Sequence, residues 1–381
     1  MAGEQAVVMA KVKCPYCGSK VQKYGKTSAG RQRWHCLACG ATFVNAIDNA
    51  AKLLEAFLAW LLSGTTQSEM PGEGRSFRRK TSRFWEMWPM PPVVEERHRV
   101  VYVDGIYLTR KIVVLIACTD EHVLGWYLAR SENSKAYRAL MRRIAPPLVA
   151  VTDGGDGFEK ARRAEWPDTK VQRCAFHAFC QVKRYTTTRP KLQAGAELYA
   201  IAKALLHVET LRQAQDWADS YMAWCREWAE FLDDKTVDEN GEWEWTHLRL
   251  VKARSSLNRL ISSGRLFTYL DPDLTADGPL PATNNRLEGG VNAQIRNMLR
   301  DHRGMSDLHR VKAVFWWCYM RTENPLPAAE MLRVMPTDDD IEAIYQERLQ
   351  QPGRYDGPNE WGDGLVWSEL HHSTPWRMDW D

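Results

Sequence analysis

The sequence predicts an α/β core interrupted by an all-helical insertion, preceded by a small cysteine-stapled module and a helix-turn-helix-like segment. Three observations support this. Two CxxC pairs lie close together near the N-terminus. Between residues 96 and 177, apolar runs of strand length alternate with helical stretches. From 178 to 282, apolar residues recur at helical spacing over a long segment.

The cysteines come first. Cys14-Pro-Tyr-Cys17 is followed, after eighteen residues, by Cys36-Leu-Ala-Cys39. Each pair can aim two sulfurs from one tight turn, and two such turns complete a tetrahedral site of four thiolates. Gly18 and Gly40 stand where such a turn often needs positive φ. One structural Zn2+ on a ribbon spanning 1–45 is expected, because four protein ligands leave no open position for chemistry. Nine cysteines in a chain with neither a secretory leader in MAGEQAVVMA nor a long apolar run suggest thiols and metal ligands rather than disulfides. That places the protein in the cytoplasm, with no membrane partner.

The formal net charge of +3 hides an asymmetry. Residues 1–100 hold 15 Lys and Arg against 8 Asp and Glu, whereas residues 336–381 hold 3 against 11. A basic front end suits a polyanion. Seven Lys or Arg and no acid lie between Lys11 and Arg33, with Tyr24, Trp34 and His35 nearby. Arg31 and Arg33 are therefore candidate DNA contacts.

In the 46–95 segment, Ile47, Leu54, Leu58 and Leu61 predict a helix that ends at Ser63-Gly64-Thr65-Thr66. After a turn at Pro71-Gly72-Glu73-Gly74, a second, basic helix is expected from Arg75 to Trp88. Arg78, Arg79 and Lys80 on it are candidate DNA contacts, and a plain pair of packing helices is the alternative. Pro89, Pro91 and Pro92 mark a linker.

Val100 to Val103, Ile112 to Ala117 and Val123 to Ala129 read as three strands. A helix follows from a cap at Ser131 to about Ile144, then a fourth strand, Leu148 to Thr152, a helix over Phe158 to Ala164 and a strand over Lys170 to Cys174. That order suits a ribonuclease H-like α/β fold, with its first part at 96–177 and its last at 283–330. Asp104 stands in an otherwise apolar strand and Asp153 ends the fourth. Such carboxylates are costly to bury unless they meet a positive charge, which metal ions can supply. A turn-capping role beside the following glycine is the alternative for each, and Asp156 is expected to cap the next helix. Glu288, in Thr283-Asn-Asn-Arg-Leu-Glu-Gly-Gly, is expected early in a helix capped by Thr283 or Asn284, with Arg286 placed for a phosphate.

Taken in order, Val-Tyr-Val-Asp104-Gly, Val-Thr-Asp153-Gly-Gly, Cys174-Ala-Phe-His177 and Thr-Asn-Asn-Arg-Leu-Glu288 resemble the motifs of the Mutator-type insertion-sequence transposases of bacteria, over about residues 99–325. The resemblance implies that Asp104, Asp153 and Glu288 form a catalytic acidic triad holding two Mg2+, with His177 close to the scissile phosphate. It implies double-stranded DNA as partner, at inverted-repeat ends and at target, and a homodimer or higher oligomer on that DNA. Half a zinc site and a packed Cys-His pair remain the alternatives for Cys174 and His177.

In the 178–282 insertion, Trp217, Trp224 and Trp228 share a helical face and are expected in a core. Trp243 and Trp245, expected in a loop, suit stacking on an unpaired base, and Arg249, Lys252, Arg254 and Arg259 suit the DNA backbone. The tail from 331 is acidic and shows no clear periodicity beyond about 336. The other functions considered are a catalytically inactive DNA-binding regulator and a structure-selective nuclease.

Overall fold

The computed structural model describes residues 12–14, 17–44, 49–70, 73–237 and 239–350, with Gly362, Val366, Trp367 and Leu370. The chain divides into two compact units, Met1–Leu53 and Leu54–Asp381. The smaller unit holds a three-stranded antiparallel sheet, β1 (Val21–Lys26), β2 (Gln32–Cys36) and β3 (Thr42–Val44), in the order β1-β2-β3. Its strands are short and largely exposed, leaving little apolar core to hold them.

Helix α1 (Ala50–Leu61) leads into the larger unit. Helix α2 (Glu73–Thr81) is shorter than the sequence suggests and passes into a 3-10 turn at Ser82–Trp85. Phe57, Trp60, Phe77 and Phe84 are buried, and Phe57 meets Trp316 at 6.4 Å while Trp60 meets His302 at 4.5 Å. The apolar stripe therefore packs these helices onto the far end of the chain.

The five-stranded sheet explains the positions of the candidate acids. Its strands are β4 (Val100–Thr109), β5 (Ile112–Cys118), β6 (Val123–Ala129), β7 (Val149–Thr152) and β8 (Lys170–Arg173), in the order β6-β5-β4-β7-β8. The pairs β4–β5 and β5–β6 are antiparallel; β4–β7 and β7–β8 are parallel. Helices α3 (Ser134–Met141) and α4 (Asp156–Glu165) cover one face through Tyr137, Leu140, Phe158 and Ala161, which pack with Val101, Val103 and Leu115. The first of these helices is capped by Asn133, which accepts from Ala136 N, two residues beyond the expected Ser131.

The stretch after β8 carries α5 (Ala175–Thr186), α6 (Gln193–Ala204), α7 (Leu211–Glu227), α8 (Ala229–Asp233), the antiparallel hairpin β9 (Lys235–Val237) and β10 (Trp243–Trp245), and α9 (Leu248–Ser262). The insertion is thus not all-helical: Trp243 and Trp245 lie on a hairpin strand, because alternating Glu and Trp is a strand period rather than a helical one. Trp217 and Trp224 are buried core residues, as their spacing predicts. Helix α10 (Pro272–Thr275) precedes a π-helical segment at Arg286–Asn292, followed by α11 (Ala293–Asp301), α12 (Asp307–Tyr319), α13 (Ala328–Val334) and α14 (Asp338–Gln350). The start of the acidic tail is therefore helical, and its three aspartates sit in the first turn of α14, where the helix dipole favours negative charge.

Helix α12 covers the other face of the sheet, with Phe315 6.1 Å from Trp126 of β6. Lys312 on α12 is fully buried and pairs with Asp338 Oδ1 at 2.6 Å, which also accepts from Trp88 Nε1 at 2.6 Å. This knot ties together the proline-rich segment, α12 and α14. Asp338→Ala would leave an uncompensated ammonium in the core, and urea unfolding of the full chain should show a loss of about 3–5 kcal/mol. A change under about 1 kcal/mol would mean the pair is solvated instead.

Candidate active site

The strand register brings the first two acids together. Val103 pairs with Thr152 across parallel strands β4 and β7. Asp104 and Asp153 are the next residue on each chain, so they leave adjacent strands side by side. Side chains alternate across a strand, so Asp104 projects away from the face that Val103 shares with α3 and α4, while Asp153 follows directly on the end of β7. The third acid arrives from far downstream. Cys174 anchors that segment: its sulfur accepts from Asn284 N at 3.2 Å, and Ala175 N donates to Ala282 O at 3.0 Å. The π-helical turn that follows carries Glu288 and Asn292, and Asn292 Nδ2 donates to Asp104 Oδ2 at 3.1 Å in a buried contact. The segment is not the α-helix capped by Thr283 or Asn284 that the sequence suggests. Asn285 stands at its start, and Asn284 is fully buried.

The electrostatics are strained. Burial, then the charge of Asp153, with Glu132 and Glu288 adding to it against the Gly105 N–H, pushes the Asp104 carboxyl up to about 7. Glu132 is a member of this cluster that no sequence motif singles out. It lies between β6 and α3, accepts from Tyr137 Oη at 3.4 Å, and is itself raised by burial and by Asp153. Gly105 makes room for it, since a Cβ there would collide with the Glu132 carboxylate. His177 on α5 lies 2.7 Å from Glu288 through Nε2 and Oε1. The Cys174 sulfur and then this ion pair raise its imidazole to about 10, although Nδ1 makes no well-aligned hydrogen bond. Cys174 and His177 thus join the acid cluster.

Because its folded pKa lies above the free value, His177 stabilises the metal-free fold fully below about pH 6.5, and that contribution fades as pH rises through about 10. NMR titration of the metal-free chain should find His177 cationic throughout pH 7–8. A midpoint near 6.5 would show that Glu288 does not hold it.

Among the described residues, only Cys14, Cys17, Cys36 and Cys39 bring three or more ligand atoms within 4.8 Å of one another. Asp104, Asp153 and Glu288 act on one another electrostatically but are not gathered that closely. Asp153 Oδ1 also accepts from Gly155 N at 3.3 Å, so the turn-capping role coexists with the cluster. Asp156 begins α4 without capping it: Gly155 holds the cap position and the Asp156 side chain makes no cap bond.

The cysteine site is well formed. Cys14 and Cys39 sulfurs are 3.6 Å apart, Cys17 and Cys36 3.5 Å, close to the ~3.8 Å edge of a tetrahedron with 2.3 Å zinc–sulfur bonds. Gly18 and Gly40 have φ of 71° and 70°, and each donates its N–H to the first cysteine of its pair. Hydrogen bonds from Ser19 lower the Cys17 thiol to about 6. The Ala41 N–H favours the thiolate of Cys39, but the other three sulfurs raise it to about 12. Four sulfurs gathered so closely could hold a metal ion, and the donor set fits zinc.

The candidate DNA contacts divide. Arg31, Arg33, Arg78, Arg79, Lys80 and Lys252 are exposed, and Arg33 lies over Tyr24 at 5.4 Å. Arg254 is 3.8 Å from Asp233 and partly neutralised. Arg286 is half-buried, with Nε lacking a protein acceptor. Trp243 is half exposed, with Lys235 Nζ 4.3 Å from its ring.

No family model matches the chain. Three curated proteins are distantly similar. One is a probable transposase for an ISRM3-like insertion sequence element of Sinorhizobium fredii, 25% identical over 166 residues. Another is the transposase for insertion sequence element ISRM3 of Rhizobium meliloti, 26% identical over 165. The third is a probable insertion-sequence transposase of Corynebacterium diphtheriae, 24% identical over 160. The chain resembles insertion-sequence transposases. The matched stretch is 37–38% of this chain and 40–47% of theirs, so the chain spans less than half the length of these relatives. Among the described residues, no helix is long and apolar enough to cross a membrane.

Proposed function

We propose that the protein is a DNA transposase of the Mutator type, with a ribonuclease H-like core in which Asp104, Asp153 and Glu288 hold two Mg2+. The observation carrying this reading is the register that sets Asp104, within β4, beside Asp153, which follows the end of the parallel neighbour β7, with Glu288 acting on the same carboxyl. The distant insertion-sequence relatives independently support the transposase part of this reading. The donor set suits a hard cation, since all three ligands are carboxylates and Asp104 is buried under uncompensated repulsion. Bound metal would activate water or a DNA 3′-hydroxyl and stabilise the leaving oxygen. Asn292 orients the Asp104 carboxylate, and His177 orients Glu288 while presenting a cation toward the substrate phosphate. The exposed arginines and lysines of the ribbon, of α2 and of α9 bind duplex DNA, with zinc holding the ribbon.

The test uses the full chain, Mg2+ and a DNA fragment bearing the ends of the mobile element around its gene. Cleavage at those ends, with the freed 3′ ends joined to a second DNA, is the expected result. Cleavage without joining would support a nuclease; binding without cleavage would support a regulator.

A further inference from the structure

We propose that the cleft bounded by α4, β8 and α9 is a phosphodiester-binding site that holds the DNA backbone beside Asp153. This rests on the proposed DNA chemistry and adds residues that neither the motifs nor the acid cluster includes. The cleft is a cavity of about 300 Å³ starting at Gly154, the residue after Asp153. Four arginines line it: Arg163, Arg173, Arg259 and Arg265.

Arg173 is the central observation. It ends the edge strand β8, and its guanidinium lies against Gly154, where a Cβ would collide with it. Gly154 has φ 81°, so glycine is required there both by conformation and by space. Arg173 Nε and Nη1 are buried without a protein acceptor, and the side chain forms no ion pair among the described residues. A sheltered guanidinium without an acceptor is costly, and burial lowers its pKa accordingly. An oxyanion in the cleft would supply the missing acceptor in the forked geometry that arginine favours.

The neighbouring charges are arranged for the same ligand. Glu159 pairs with Arg265 at 2.7 Å and with Arg163 at 2.7 Å, which fixes both at the rim. Arg259 on α9 is exposed and forms no ion pair among the described residues. Four arginines face Glu159 and Asp156 in the lining, with Asp153 acting on Arg173 from beside it, which still leaves a net positive charge. The lining is too polar for an apolar ligand, and it begins at Gly154, next to Asp153.

Binding of the full chain to duplex DNA, measured against salt concentration, tests the proposal. Arg259→Ala and Arg173→Gln should each weaken binding about fivefold to tenfold at low salt and flatten the log–log salt slope by about 0.9 per lost contact. Arg259→Lys should restore the slope, since it keeps the charge. Arg259 is exposed, so its variants should fold even if those of Arg173 do not. Unchanged slopes in both variants of a natively DNA-binding chain would overturn this site alone, leaving Arg173 as a structural neighbour of Asp153. A native chain with no salt-sensitive DNA binding would overturn the underlying DNA reading as well.

Discussion

Asp104→Asn should reduce Mg2+-dependent cleavage of a DNA end by about a thousandfold or more, with duplex affinity nearly unchanged. Asp153→Asn and Glu288→Gln should do the same. The amide keeps the carboxylate's shape but cannot balance a divalent cation. A second readout separates loss of function from loss of fold. With its carboxyl raised to about 7, Asp104 costs the metal-free fold nothing below about pH 4, an increasing amount between pH 4 and 7, and its full penalty above. Asparagine removes that penalty and can still pair with Asn292. In chelator above pH 7 the inactive variant should therefore be more stable than the native chain, by a few kcal/mol in order of magnitude. Equal stability at pH 8 would show that Asp104 is not under the repulsion described. Asp156→Asn should keep most activity and lose only about 0.5 kcal/mol of helix-dipole stabilisation. If all three triad variants still cleaved, the acids would not be the catalytic centre.

Replacing Cys36 and Cys39 together by serine should take bound zinc from one per chain to none. The ribbon has short, exposed strands and few buried side chains, so metal binding, worth about 10–16 kcal/mol in comparable modules, supplies most of its folding energy. Hydrogen exchange across residues 20–44 should rise to that of an unfolded chain, while the larger unit stays protected. DNA affinity should fall as Arg31 and Arg33 lose their fixed positions. Stoichiometric zinc retained by the double variant would refute the assignment.

The features most legible in the sequence are those dictated by period or by spacing. The β4, β5 and β6 strands are nearly continuous apolar runs, and only burial on both faces explains such runs. The paired CxxC turns fix ligand geometry locally. What escapes reading depends on long-range contact. Glu132 sits in Arg-Ser-Glu-Asn-Ser, which reads as an ordinary polar turn, and only the fold brings it near Asp153. Asn292 acquires its role from a π-helical turn that no spacing rule announces, because the i+5 pattern depends on tertiary packing. The stripe on α1 and α2 is legible as apolar, but its partner lies some 250 residues downstream on α12, so it reads equally well as a separate DNA-binding pair. An N-terminal fragment prepared for DNA-binding measurements should end near Leu53, since a cut at 95 would strip Phe57, Trp60, Phe77 and Phe84 of their cover.

The hydrogen bond from Asn292 to Asp104 closes a loop of 188 residues. On a ribosome adding about 5–20 residues per second, the residue that completes the acid cluster emerges about 10–40 s after the strand that begins it. For most of that interval the cysteine ribbon is already synthesised and can take up metal, while the third acid is still missing from the cluster. If the protein acts as proposed, a nascent or prematurely terminated chain would be able to occupy DNA before it could cut, and truncated products would compete with the full chain rather than act as stray nucleases.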